Sequence, residues 1–177
     1  MPEGVSLEVE PGAASWCEVE PLEAVVYPPE VMATLPWRDV TWAHADHRVL
    51  VRDETHKVRC HVGVYLRDVK LDGMPVRIGG IGGVMTHPDF RGKGLAGSAL
   101  RHACSLFAKE EAAFAVLFCE RRLSPFYARF DWRIFAGDVL VEQPGGIVRF
   151  TATRPMVLDV VRPAPTAGIL DLCGLPW

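Results

Sequence analysis

The clearest chemistry in the chain lies in residues 76–102, VRIGGIGGVMTHPDFRGKGLAGSALRH. In Arg91-Gly92-Lys93-Gly94-Leu95-Ala96 two glycines let the main chain turn so that several N–H groups point inward where a helix begins. A helix start adds donors without intrahelical partners and the positive end of the helix dipole. Arg91 and Lys93 add formal charge, and the whole suits a pyrophosphate. The Walker frame ending in Gly-Lys-Ser/Thr is absent. Gly92, Gly94 and Gly97 have dinucleotide-fingerprint spacing, but His87-Pro88-Asp89-Phe90 separate them from the preceding strand. The next strand, FAVLFC, ends at Cys119 without the acid that would bind a ribose. A phosphate cradle of another kind is expected.

Two further features carry chemistry. Gly79-Gly80 and Gly82-Gly83 weaken the strand before the cradle, which calls for a bulge, the close approach of a ligand, or packing under an aromatic. Ser124-Pro125-Phe126-Tyr127 places a phenol on a short helix with Ser124 as its N-cap and Pro125 at N1. Other reactive types are less suggestive. His44 and His47 stand three apart with no third ligand at metal spacing, so no metal is expected. Cys119 reads as a core thiol, and no GxSxG elbow surrounds Ser124. His61 and His87 read equally as a base or as surface histidines.

The elements that must position these residues follow from periodicity. VSLEVE at 5–10 alternates as a strand, and 21–35, broken by Pro28 and Pro29, suggests one or two short helices. Strands are expected at 48–52, 58–68 and 74–86, the last two joined by the turn residues Asp72-Gly73. Residues 95–111 form a helix with its apolar positions three and four apart, and 114–119 a buried strand. The short tyrosine helix runs to Phe130, and strands at 134–141 and 156–162 close the chain. The order gives an α+β fold with a mixed sheet.

Composition sets the frame. At 177 residues and 49% hydrophobic, one domain spanning 1–177 can bury a core without metals or disulfides. Five scattered cysteines without a CxxC pair point to a reducing cytoplasm. Ala112 to Cys119, the longest apolar run, is too short to span a bilayer, so no membrane association is expected. A net charge of -3 disfavours nucleic acid. Glu3, Glu8, Glu10, Glu18, Glu20, Glu23 and Glu30 precede Arg38 with no Lys or Arg among them. Such an acidic part either attracts a cationic ligand or simply solvates one face.

The cradle closely resembles the coenzyme A signature of the GNAT superfamily of N-acetyltransferases. That pattern is Arg or Gln, two residues, Gly, one residue, then Gly or Ala, and Arg91, Gly94 and Ala96 match it, with Pro88 between strand and loop. The resemblance covers roughly Trp42 to the C-terminus. It implies a mostly antiparallel central sheet flanked by helices, with acetyl-CoA as donor and coenzyme A as product. Backbone amides of Arg91, Gly92, Lys93, Gly94, Leu95 and Ala96 would hold the pyrophosphate, and Val84, Met85 and Thr86 would pair with the pantetheine arm like an added strand. It also implies a bulge at the strand glycines, and that Tyr127 protonates the departing thiolate, whose pKa is about 8.5. Asp131 stands where the family usually has Gly.

A finer likeness is to the aminoglycoside 2'-N-acetyltransferases. It rests on His44-Ala45-Asp46-His47-Arg48-Val49-Leu50-Val51, the turn at 70–73, and Gly174-Leu175-Pro176-Trp177. By that likeness Trp177 and its carboxylate bind a small cationic amine. Three acids of those enzymes are missing: one stands at Gly82, one in the stretch Gly145–Phe150, one at Leu175. The expected activity is therefore acetyl transfer to the primary amine of a small cationic molecule, with an aminoglycoside as one candidate. The alternatives are a non-catalytic acyl-CoA-binding module and an acetyltransferase for protein or peptide amines. A homodimer is left open.

Overall fold

Two long strands dominate the chain, the first alternating from Val58 to Leu66 and the second drawn out beside it despite four glycines. They are β3 (Val58–Leu71) and β4 (Met74–Thr86), paired antiparallel along their whole length. Asp72 and Gly73 turn between them with φ of 49° and 80°, the paired left-handed values of a tight hairpin. The computed structural model describes residues 4–177, so Glu3 and the start of the expected 1–177 domain lie outside the described residues.

Around this hairpin stand β1 (Val5–Pro11), β2 (His47–Asp53), β5 (Phe114–Cys119), β6 (Arg133–Ile134), β7 (Asp138–Gln143), β8 (Gly146–Arg149), β9 (Arg154–Asp159) and β10 (Ile169–Asp171). The helices are α1 (Gly12–Val26), α2 (Pro29–Met32), α3 (Leu95–Lys109) and α4 (Ser124–Ala128). All the strands join one sheet in the order β6-β9-β5-β4-β3-β10-β7-β8, while β2 and then β1 extend it from the first half of β3. Among the described residues only β4–β5 and β10–β7 are parallel. This is the mixed, mostly antiparallel α+β architecture the sequence implies.

The two faces of β5 divide the core. Ala115, Leu117 and Cys119 pack with Leu95, Ala99, Leu100, Ala103 and Phe107 of α3. Phe114 and Val116 face the other way, into a cluster with Tyr65, Phe150 and Trp177.

Four expectations need correction. Of the one or two short helices expected within 21–35, α2 lies inside that stretch, but the first is the end of the 15-residue α1, which starts at Gly12 and carries Pro21 inside it. Its buried stripe is Gly12, Ser15, Val19 and Leu22, helical in spacing but half made of residues that no apolar pattern reveals. The strand expected over 134–141 breaks into β6 and β7 around Gly137, where a Cβ would lie 2.1 Å from the Gly168 carbonyl oxygen. The strand expected at 156–162 is β9, two residues earlier. Ser124 is no N-cap: a 3₁₀ turn at Arg121–Leu123 precedes it, and its hydroxyl faces the Cys119 sulfur at 3.9 Å.

Candidate active site

The cradle takes the form its glycines require. Gly92 and Gly94 have φ of 76° and 77°, with nothing within 4 Å of a Cβ on either. That left-handed conformation turns the chain sharply into α3. The amides of Gly92, Lys93 and Gly94 have no main-chain partner among the described residues. Those of Leu95 and Ala96 fall in the first turn, where a helix supplies none. Five adjacent N–H donors thus lack a main-chain partner at a helix start. Phe90 braces the turn between two cations, with the Arg59 guanidinium 4.9 Å and the Lys93 ammonium 4.5 Å from its ring centre. Arg91 Nε reaches back 3.4 Å to the Thr86 carbonyl oxygen, joining the loop to the end of β4.

Beside the cradle the sheet opens. Strands β4 and β5 pair only through Gly79, Gly80 and Ile81 against Ala115, Val116 and Leu117. Beyond that point residues 82–86 keep β3 on one side and lack a strand on the other. A bulge separates the two regimes. Gly63 pairs with Gly82 and His61 with Met85, leaving Val62 opposite both Gly83 and Val84, and Gly83 has φ of 55°.

The remaining glycines of β4 serve packing, from opposite faces. A Cβ at Gly79 would lie 2.4 Å from the Phe107 ring, and one at Gly80 would lie 2.4 Å from Trp177 Cε2. At Gly82 it would meet the Trp177 main-chain carbon at 2.9 Å. Aromatic cover therefore explains three of the four glycines, and the bulge explains Gly83.

The bulge is held from behind. His61, 1% exposed, bonds through Nδ1 to the Gly83 carbonyl oxygen at 2.6 Å, and its Nε2 lies 2.9 Å from Arg48 Nη1. Arg48 Nε in turn donates to the Gly12 carbonyl oxygen at 3.1 Å. Because Arg48 can only donate, His61 must carry its proton on Nδ1. Burial, with the Arg48 charge acting in the same direction, lowers its pKa to about 4 against the pull of the Gly83 bond. His61 is therefore neither a surface residue nor an available base.

The predicted site residues fall into three groups. Arg91 to Ala96 form the cradle, and Val84, Met85 and Thr86 form the open edge. Tyr127 packs with Cys60, Ile81, Leu117 and Cys119 on the α3 face of the opening, and burial raises its pKa. Trp177 lies on the opposite face and is 4% exposed. Its ring stacks on Tyr65 at 5.4 Å, lies 5.0 Å from the Arg67 guanidinium and donates to the Val116 carbonyl oxygen at 3.3 Å. Its indole is a packed latch. Two residues had no signal in the sequence: Glu23 and Tyr27, which α1 brings to the same end, with both pKa values raised by burial.

The acids are largely committed. Glu8, Glu10 and Glu18 surround the buried Arg52 at 2.9, 2.5 and 2.7 Å. Glu120 is held by Arg122 through contacts of 3.0 and 2.6 Å. His87 Nδ1 accepts from the Asp89 amide at 3.3 Å, capping the 3₁₀ turn before the cradle. No group of three or more His, Cys, Asp or Glu among the described residues could hold a metal ion. No described helix is long and apolar enough to cross a membrane.

Solved structures share this architecture. The GNAT family N-acetyltransferase YhbS from Escherichia coli, in complex with CoA, aligns at a TM-score of 0.65 with 17% identity, over 97% of this chain and 92% of that one. A GNAT family acetyltransferase from Brucella melitensis, in complex with acetyl-CoA, aligns at 0.62 with 15% identity, over 96% of each chain. Escherichia coli ElaA aligns at 0.61 with 13% identity, over 88% of this chain and 99% of that one. Identities this low speak for the fold alone. No curated protein sequence matches the chain. Residues 24–135, which carry the bulged strand, the cradle, α3 and Tyr127, match the family model of the acetyltransferase (GNAT) domain, and the chain belongs to that family.

Proposed function

We propose that this protein transfers the acetyl group of acetyl-CoA to the primary amine of a small molecule. One observation carries the reading: five unpartnered amides at residues 92–96 stand beside the free edge of residues 82–86. The first set suits a pyrophosphate and the second suits the amide groups of an extended arm. Open space at Gly92 and Gly94 leaves room for close approach of the phosphates.

When bound, acetyl-CoA supplies an activated acetyl carbon whose bond to sulfur breaks as a bond to the amine nitrogen forms. The chain's own groups divide the remaining work. Arg91 to Ala96 bind, and Val84 to Thr86 orient. The main chain at the bulge, fixed by His61, supplies a donor to oxygen as negative charge develops. Tyr127 keeps its proton at the phenolic oxygen because burial raises its pKa. From there it would donate a hydrogen bond to the departing sulfur, which takes its proton from water. The proton lost by nitrogen passes to water. Trp177 and Tyr65 floor the acceptor side.

A thiol-release assay with acetyl-CoA over a panel of amines, with the product mass recorded, tests this. Thiol released in step with a 42 Da heavier amine is the expected result. Tight acetyl-CoA binding without any acetylated product would leave a carrier module instead.

A further inference from the structure

A cavity of about 760 Å³ lies at the end of β5, with lining from both faces of the sheet that includes Glu120, Arg121, Arg149, Phe150, Thr153 and Arg154. Its size is that of a small-molecule site. Glu120 directly follows Cys119, the last residue of β5, so the cavity begins where the strands diverge. Phe150 meets Phe118 at 5.0 Å, and Phe118 meets Trp177 at 5.8 Å, so two aromatic contacts link the cavity to the acceptor side.

Its charges do not balance. The Glu120 carboxylate is taken by Arg122, and Arg149 is paired with Asp138. Arg121 and Arg154 make no ion pair among the described residues. Thr153 Oγ1 is buried without any hydrogen-bond partner, one of two such side-chain atoms among the described residues. That hydroxyl is occluded even from solvent, so the two free guanidinium groups along the cavity define what the cavity would take. A carboxylate or phosphate would accept from both. A polycation would instead face three guanidinium groups and one carboxylate already held by Arg122.

We infer that this cavity receives the anionic group of the acceptor, so that the amine substrate carries a carboxylate or a phosphate and is not a polyamine. The inference rests on the acetyl-transfer reading above for the word acceptor; the cavity's preference for an anion stands on its own residues.

The test uses matched amines that differ in one anionic group, with kcat/KM referred to the concentration of neutral amine because that group also changes the amine's own pKa. L-phenylalanine is compared with L-phenylalaninamide for the carboxylate, O-phosphoethanolamine with ethanolamine for the phosphate, and an aminoglycoside serves as the polycation. In the thiol-release assay the anionic member of one pair should have a kcat/KM at least tenfold above its neutral twin, about the worth of one charge-assisted hydrogen bond. Arg154→Glu should abolish that preference and leave the acetyl-CoA dissociation constant unchanged. Arg121→Glu, at an exposed position, repeats the charge reversal should Arg154→Glu fail to fold. Equal or better turnover of the neutral twins or the polycation would overturn the inference.

Calorimetry on the CoA-loaded protein separates the two readings. N-acetyl-L-phenylalanine is titrated against its amide, and inorganic phosphate against chloride. Tenfold tighter binding of either anion, lost in the charge-reversed variant, supports the cavity even where no amine is acetylated, and then it is the transfer reading that fails. No difference between the twins, together with no phosphate binding, refutes the cavity.

Discussion

Replacing His61 with Phe keeps a ring in β3 and removes both nitrogen contacts. The Gly83 carbonyl then loses its partner at 2.6 Å and Arg48 Nη1 loses the one at 2.9 Å. A neutral buried bond contributes about 1 kcal/mol and one to a charged group about 2 kcal/mol, so near pH 7 the variant should be about 3 kcal/mol less stable. The pH dependence gives a sharper signature. The folded protein holds His61 at about 4, below the ordinary 6.5. Between those values the unfolded chain binds the proton and the folded one does not, so stability rises with pH across that window. This group's contribution is complete above about pH 6.5 and is lost as pH falls toward 4. At 1.36 kcal/mol per pKa unit the loss is about 3 kcal/mol. Phe cannot titrate, so the gap between wild type and His61→Phe should shrink from about 3 kcal/mol near pH 7 toward zero near pH 4. Urea denaturation at three pH values across that range measures it. Parallel stability curves would refute the neutral, bulge-holding histidine, as would a variant of wild-type stability.

Three further outcomes are expected. Gly94→Asp should weaken acetyl-CoA binding more than 100-fold by calorimetry, whereas Gly94→Asn, uncharged and tolerant of the left-handed region, should lose far less; both carry a backbone penalty of about 1 kcal/mol. Equal losses would remove the electrostatic role of the cradle. Tyr127→Phe should lower kcat about 10²-fold at unchanged acetyl-CoA affinity, and a wild-type kcat would leave Tyr127 a packing residue. Gly80→Ala drives a methyl to 2.4 Å from a rigid indole and should destabilise by about 1–3 kcal/mol, lowering Tm by about 3–10 °C. An unchanged Tm would show that Trp177 is not latched there.

What could be read from the sequence was local. The cradle is six consecutive residues, so its spacing alone defines its shape, and the first half of β3 and all of α3 announce themselves through periodicity. Helix α1 was hidden because Gly12 and Ser15 occupy positions where a pattern reader expects Leu. The strand glycines were ambiguous for a related reason. Their neighbours, Phe107 and Trp177, come from distant parts of the chain, and only the fold shows them lying on opposite faces of one strand. His61 was misread for want of its partners, since neither Arg48 on the adjacent strand nor the Gly83 carbonyl 22 residues away is implied by the motif around it. The cavity was illegible altogether, because its lining joins the end of β5 to residues 149–155 and to Pro36.

The proton that an amine must lose before attack meets few free side chains, since apart from Glu23, whose pKa burial raises, the nearby candidates are engaged. Glu120 is held by Arg122, and His87 by the Asp89 amide. His61 is neutral, but both its nitrogens are taken. Asp46 and Asp72 accept main-chain amides of Leu66 and Ile169 at 2.8 Å each. The surroundings can do part of this work. Positive charge near an amine disfavours its ammonium form, and the acceptor side gathers Arg67 over Trp177 with Arg121 and Arg154 along the cavity. Each unit by which such a field lowers the amine's pKa raises the neutral fraction about tenfold at a pH well below that pKa. A cationic acceptor site would then serve two ends with the same residues: it would hold the substrate's anionic end, and it would leave more of the amine in the form that can attack.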